Sequence, residues 1–183
     1  ATTTEGGGEV AIKPQSNAEG LAAYGSGAID GAWVPEPWVS SYVAAGARVL
    51  VDEADLWPDG RFVTTNVVVR TEFLEQHPDI VRAFLVGHVA ALESIADDPA
   101  GSKAAFNAEL EDLTGKTIDT TILDSAFAEV EFTADPLPAT LVESAQHAVS
   151  VDLLVQDDLD DADGLPGTLY ALGLLDEMLA AAG

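Results

Sequence analysis

The sequence predicts an α/β fold with a helix-rich C-terminal half, and three observations carry that prediction. Short β-branched runs alternate with helix-length segments up to about residue 51. Gly- and Pro-bearing connections separate these runs. Beyond Arg70 the apolar residues take the helical period, and Asp or Pro stands ahead of most helices.

The polar stretch Thr2 to Gly8 reads as a loop. Glu9-Val10-Ala11-Ile12-Lys13-Pro14 alternates and stops at Pro, as a short strand does. Ser16 or Asn17 supplies cap chemistry for a helix from Ala18 to Ser26, which Gly27 closes. Ile29 to Val34 reads as a second strand, ended by Pro35. Pro37 fits the first turn of a helix reaching about Ala45. Ala47 to Val51 reads as a third strand. This order predicts a parallel unit with right-handed crossovers, whose ligands sit beyond the carboxyl ends of the strands. Gln15-Ser16 and Glu36-Pro37-Trp38 then emerge at one rim of a shared sheet.

Trp57-Pro58-Asp59-Gly60 is a turn signal, and Phe62 to Arg70 reads as a strand. Glu72 to Glu75 gives a short turn. Helices follow from Pro78 to about Ala96, with Ile80, Phe84, Val89, Leu92 and Ile95 near one face, and from Asp98-Pro99 to about Leu113. Others run from Thr120 to about Val130, capped by Asp119, from about Ala139 to Leu154, and from Tyr170 to Ala182. The change of pattern near residues 52–61 places a domain boundary there, giving segments 1–58 and 59–183. A single strand in the second segment needs partner strands from elsewhere.

Composition narrows the function. The formal net charge is −25 over 183 residues, which argues against nucleic acid as a partner. No apolar run reaches the roughly 18 residues of a membrane span. The absence of cysteine removes disulfides and thiol catalysis. The opening residues Ala1 to Glu5 show neither a basic nor an apolar leader region, so the expectation is a processed chain or a fragment.

The usual catalytic and metal-binding patterns do not occur. His77, His88 and His147 have no zinc-hydrolase spacing and read as surface or packing residues. In the acidic run from Asp157 to Gly164, Leu159 falls at the first ligand position of a calcium loop, so the run reads as a solvated loop. No nucleophile elbow surrounds a serine, and no Gly-rich loop follows a strand. Trp38, beside Glu36 at a predicted strand end, suits either a core or the wall of a ligand cleft. Thr64, Thr65 and Asn66 put short polar side chains into an apolar run, with Thr65 on one face and the other two on the opposite face.

Pro14-Gln15-Ser16-Asn17-Ala18 and the run Gly27 to Trp38 carry a family resemblance. Val49 to Glu53, Asp55 to Gly60, Phe62 to Asn66, Arg70 to Pro78 and Glu131 to Leu137 continue it in order. Together they resemble the solute-binding proteins of ABC importers for aliphatic sulfonates, nitrate and taurine. The resemblance spans about residues 9 to 183. It implies part of a two-lobed, periplasmic-binding-protein-like (type II) fold, with the solute held between lobes. Residues 1–58 then belong to the middle α/β lobe. Residues 59–183 supply a crossover strand and the helical C-terminal part of the first lobe, while N-terminal strands of that lobe and a Gly-Asn-Thr-type loop have no counterpart.

The resemblance implies capture of a small anion by Gln15, Ser16, Glu36, Trp38, Thr64, Thr65 and Asn66. It implies neither catalysis, cofactor nor metal. Glu36 suits a sulfonate only if it meets an amine on the solute or pairs with Arg61 or Arg70. The implied partners are the solute, the transmembrane permease subunits and the N-terminal portion of the same protein. The implied location is periplasmic or extracellular, with or without a lipid anchor. Two alternatives stay open: an enzyme of pyrimidine-precursor synthesis on the same scaffold, with Glu36 as its nucleophile or base, and a fragment that binds nothing.

Overall fold

The computed structural model describes residues 2–3, 9–155 and 169–182. Contacts group the chain into two compact units. The first holds the residues up to Leu50 together with Ile118–Val130; the second holds Val51–Thr117 and the residues from Glu131 onward.

In the first unit, β1 (Thr2–Thr3) and β2 (Glu9–Val10) pair antiparallel, with Thr2 opposite Val10. They form the only ladder among the described residues. Helix α1 (Asn17–Gly25) starts one residue before the predicted Ala18, because Ser16, one of the two cap candidates, closes a capping box with Glu19. Gly27, at φ 73°, takes the left-handed turn that follows. Helix α2 (Trp38–Ala44) begins after a cis Glu36–Pro37 peptide, with Pro37 at the cap and not inside the first turn.

Helix α6 (Thr120–Glu129) completes this unit. Asp119 caps it by accepting from the Thr121 amide at 2.8 Å and from the Thr121 hydroxyl. These bonds, the hydroxyl's first, hold the Asp119 carboxyl below its ordinary value. Helices α1 and α6 both pack on α2. Tyr42 (5% exposed), Leu123 (3%) and Ala126 (5%) are buried there, with Ser40 and Gly20. Truncating a buried leucine such as Leu123 costs about 2–5 kcal/mol.

The second unit is helical. Two short 3₁₀ turns, Glu53–Leu56 and Pro58–Gly60, precede α3 (Thr71–Gln76), α4 (Pro78–Asp97) and α5 (Pro99–Thr114). Asp98 caps α5 through the Gly101 amide at 2.9 Å, and Gly115 ends it at φ 71°. Helix α7 (Pro138–Ser150) stops four residues before the predicted Leu154, and α8 (Gly173–Ala182) is the last described helix. Helix α4 packs on α3, α5 and α8, and Arg82 bonds Glu177 across the last contact at 2.7 Å. Its predicted apolar face is half-buried at Val89, Leu92 and Ile95 but exposed at Ile80 and Phe84.

The predicted parallel sheet is corrected. Residues 29–34, 47–51 and 62–70 form no strand, and Glu9–Pro14 shortens to the two residues of β2. Strand-forming side chains do not make a strand without a neighbouring edge to satisfy the backbone. The described residues offer no such edge, and many apolar side chains of these segments face solvent: Val68 is 88% exposed, Leu50 76% and Trp33 66%. The architecture is therefore helix-rich, as predicted for the second half, with a small antiparallel ladder where a parallel sheet is expected.

Candidate functional site

The sequence-predicted site residues fall into two groups, one in each unit. Gln15, Ser16, Glu36 and Trp38 belong to the first; Thr64, Thr65 and Asn66 belong to the second.

In the first unit, the turns that carry these residues lead into packed helices and not to a sheet rim. Gln15 and Ser16 precede α1, while Glu36 and Trp38 straddle the start of α2. The helices meet where Tyr42 of α2 lies over Gly20 of α1. A Cβ on Gly20 would stand only 2.7 Å from the Tyr42 hydroxyl, so glycine alone permits this approach. The Tyr24 and Tyr42 rings pack with centroids 5.3 Å apart and planes tilted by 54°.

Ser16 is fully engaged. Its amide and its hydroxyl both donate to Glu19 Oε2, at 3.0 and 2.6 Å, and its Oγ accepts from the Glu19 amide at 3.4 Å. The Ser16 hydroxyl, and after it the Ser16 amide, hold the Glu19 carboxyl below its ordinary value. Gln15 is exposed. The half-buried Glu36 accepts from the Ser40 amide at 3.1 Å through Oε2. Trp38, also half-buried, donates its backbone N–H to Pro35 O at 2.9 Å. Lys13 Nζ donates to Ala28 O at 3.2 Å, which ties the segment ahead of α1 to the turn behind it.

Arg61 and Arg70, which the sequence offers as partners that would let Glu36 suit a sulfonate, both contact carboxylates within the second unit. Arg61 makes a two-pronged contact with Glu131, at 3.0 and 2.8 Å, and lies 4.0 Å from Asp135. The bonded Glu131, and after it the charge of Asp135, holds the Arg61 guanidinium above its ordinary value. Arg70 contacts Glu72 at 3.4 Å. The forked Arg61–Glu131 contact suits the planar guanidinium.

In the second unit, Thr64, Thr65 and Asn66 lie in an exposed irregular segment. An open depression of about 200 Å³ forms nearby in sequence, lined by Arg70, Glu72, Phe73 and Gln76, and none of the predicted residues lines it. Trp57 stacks on Phe62 at 5.4 Å, touches the His147 ring at 5.3 Å and donates to Glu53 Oε1 at 3.3 Å. The histidines behave as packing residues, since His77 meets Phe73, His88 meets Phe84, and His147 meets both Trp57 and Glu143.

Among the described residues no cluster of His, Asp or Glu could hold a metal ion. The acidic run Asp157 to Gly164 lies outside the described residues. Sequence reasoning passed over Tyr42 and Glu19. The hydroxyl of Tyr42 is buried without a hydrogen-bond partner, which sequence could not reveal. Glu19 was legible, because Ser-x-x-Glu at a helix start is a capping box.

A family model described as the NMT1-like family matches residues 8–109, more than half of the chain. All seven predicted site residues fall inside that match. No curated protein and no solved structure matches.

Proposed function

This chain belongs to the NMT1-like family, a family of ABC-importer solute-binding proteins and not of enzymes, and on that premise we propose that it captures a small solute of the sulfonate, taurine or nitrate class for import. Gln15, Ser16, Glu36 and Trp38 contact the solute, and Thr64, Thr65 and Asn66 contribute from the crossover segment. The observation that supports this most directly is the contact of Gly20 with Tyr42. It joins the helix that starts at Ser16 to the helix that starts at Trp38. Two segments distant in sequence, both inside the family match, are thereby held by one packing contact.

In the two-lobed fold that the resemblance implies, residues 1–58 belong to the middle lobe and 59–183 to the crossover and the first lobe. Exposed, unladdered residues at 48–51 and 64–70 support a reading in which further strands, from the implied N-terminal portion, complete a sheet. Lobes closing over the solute would present the surface that docks on the permease subunits. Such proteins work outside the cytoplasm, and among the described residues no helix is long and apolar enough to cross a membrane.

Titration calorimetry of the protein with taurine, ethanesulfonate and nitrate tests the proposal. Saturable heat with at least one solute, weakened tenfold or more by Trp38→Ala, is expected. Heat that is unsaturable for every solute refutes capture of this class.

A further inference from the structure

Resting on the solute-capture reading, we propose that Arg61 is a positioning residue: by forking onto Glu131 it fastens the segment that carries Thr64, Thr65 and Asn66 to the segment that leads from α6 into α7. Both segments belong to the second unit, which the chain enters at Val51 and again at Glu131. Side chains on irregular backbone serve binding well only when that backbone is already held, because ordering it on binding costs affinity. Thr64, Thr65 and Asn66 lie in such backbone, exposed, just beyond Arg61 in the chain.

The fork joins residues 70 positions apart. Arg61 Nε donates to Glu131 Oε2 at 3.0 Å and Nη2 donates to Oε1 at 2.8 Å, while Nη1 lies 4.0 Å from Asp135 Oδ2. All three guanidinium nitrogens thus face carboxylates of one short segment. Exposed ion pairs contribute little as a rule, and the exceptions are forked pairs and networks; Arg61 takes part in both. Its forking donors are spent on Glu131, so Arg61 holds the segment and does not itself ligate an anion.

A second, independent set of contacts fastens each segment elsewhere. Trp57 and Phe62, on either side of Arg61 in the chain, stack at 5.4 Å with planes 12° apart, and the Trp57 ring meets His147 of α7 at 5.3 Å. In the other segment the Asp135 amide donates to Thr133 Oγ1 at 3.0 Å, and the Leu137 amide donates to Asp135 Oδ1 at 2.9 Å. The Tyr170 hydroxyl donates to Pro136 O at 3.5 Å. Asp135 therefore gives one oxygen to its own turn and the other to Arg61. Arg61 joins two segments that are each already held, and the fork lies outside every α-helix. Losing it frees one segment from the other without removing a helix cap.

The test pairs titration calorimetry, with taurine, ethanesulfonate and nitrate as probes, with amide exchange over 57–66 and 131–137. Arg61→Gln and Glu131→Gln should each speed exchange in both segments. Each should also weaken the tightest-binding probe by about fivefold, the effect of losing one well-formed ion pair. The double variant should bind no more weakly than either single one, since both remove the same contact. Arg82→Gln is the control: it breaks an ion pair of the same unit, between α4 and α8, and should leave affinity unchanged. Affinity lost in Arg61→Gln but kept in Glu131→Gln, or losses that add in the double variant, would make Arg61 a direct ligand and overturn the positioning role. Faster exchange with unchanged affinity reduces the fork to a structural contact and overturns it too. Exchange unchanged in both single variants overturns the fastening whether or not any probe binds. No saturable heat from the unaltered chain overturns capture itself, and the positioning role falls with it.

Discussion

The Gly20–Tyr42 contact makes a sharp prediction about stability. Alanine at position 20 would put a Cβ 2.7 Å from the Tyr42 hydroxyl, closer than real Cβ contacts come. Tyr42 is 5% exposed and packs on Tyr24, so its ring has no open direction in which to swing. Alanine in a helix interior is favoured over glycine by about 1 kcal/mol. Overpacking a filled site costs about 1–3 kcal/mol. The balance for Gly20→Ala is therefore a loss of about 0–2 kcal/mol. In a Tyr42→Phe background the obstructing oxygen is gone, and the same change should stabilise by about 1 kcal/mol. Tyr42→Phe alone should also stabilise, by about 1–3 kcal/mol, because it removes an unsatisfied buried hydroxyl. The coupling between the two sites is then about 1–3 kcal/mol. Thermal melts of the four proteins by circular dichroism resolve this, since 1 kcal/mol moves the midpoint of a chain this long by about 2–4 °C. Equal effects of Gly20→Ala in both backgrounds would refute the reasoning.

Two further predictions follow from features nearby in the chain. The Ser16–Glu19 box depresses the Glu19 carboxyl in the folded state. Its contribution is therefore complete above the unfolded value and is lost as pH falls through the folded one. Amide exchange in α1 should accelerate on acidification, and Ser16→Ala should remove that dependence while costing about 0.5–2 kcal/mol. Val68→Thr should change stability by less than about 0.5 kcal/mol, because the side chain is 88% exposed; a loss several times larger in urea unfolding would mean that segment 62–70 is packed in solution.

Helix ends were the legible part of this sequence, because a helix closes most of its hydrogen bonds within its own segment. Ser16, Asp98, Asp119 and Gly115 mark the ends of α1, α5 and α6 in the sequence, and each does so in the structure. Strands were not legible in the same way. Val67-Val68-Val69 has the right residues, but a strand is a property of two edges, and local pattern reports on one. Helix α7 ends early for a related reason: an apolar residue such as Leu153, 76% exposed, extends the pattern without extending the packing. At the candidate site, sequence located Ser16, Glu36 and Trp38 at helix starts. It could not show that carboxylates would claim the Ser16 and Ser40 donors, because that competition is settled by side-chain geometry.

The return of α6 to the first unit has a consequence for biosynthesis. Of the buried residues Tyr42, Leu123 and Ala126, two reside in Thr120–Glu129. A nascent chain ending before Ile118 holds α1 and α2 with their shared apolar surface still wet. Helices α1 and α2 can meet through Gly20, Tyr24 and Tyr42 before then, but the contact of α2 with α6 forms only once Val130 has been made. Any expression fragment cut within 51–117 would leave the same surface bare.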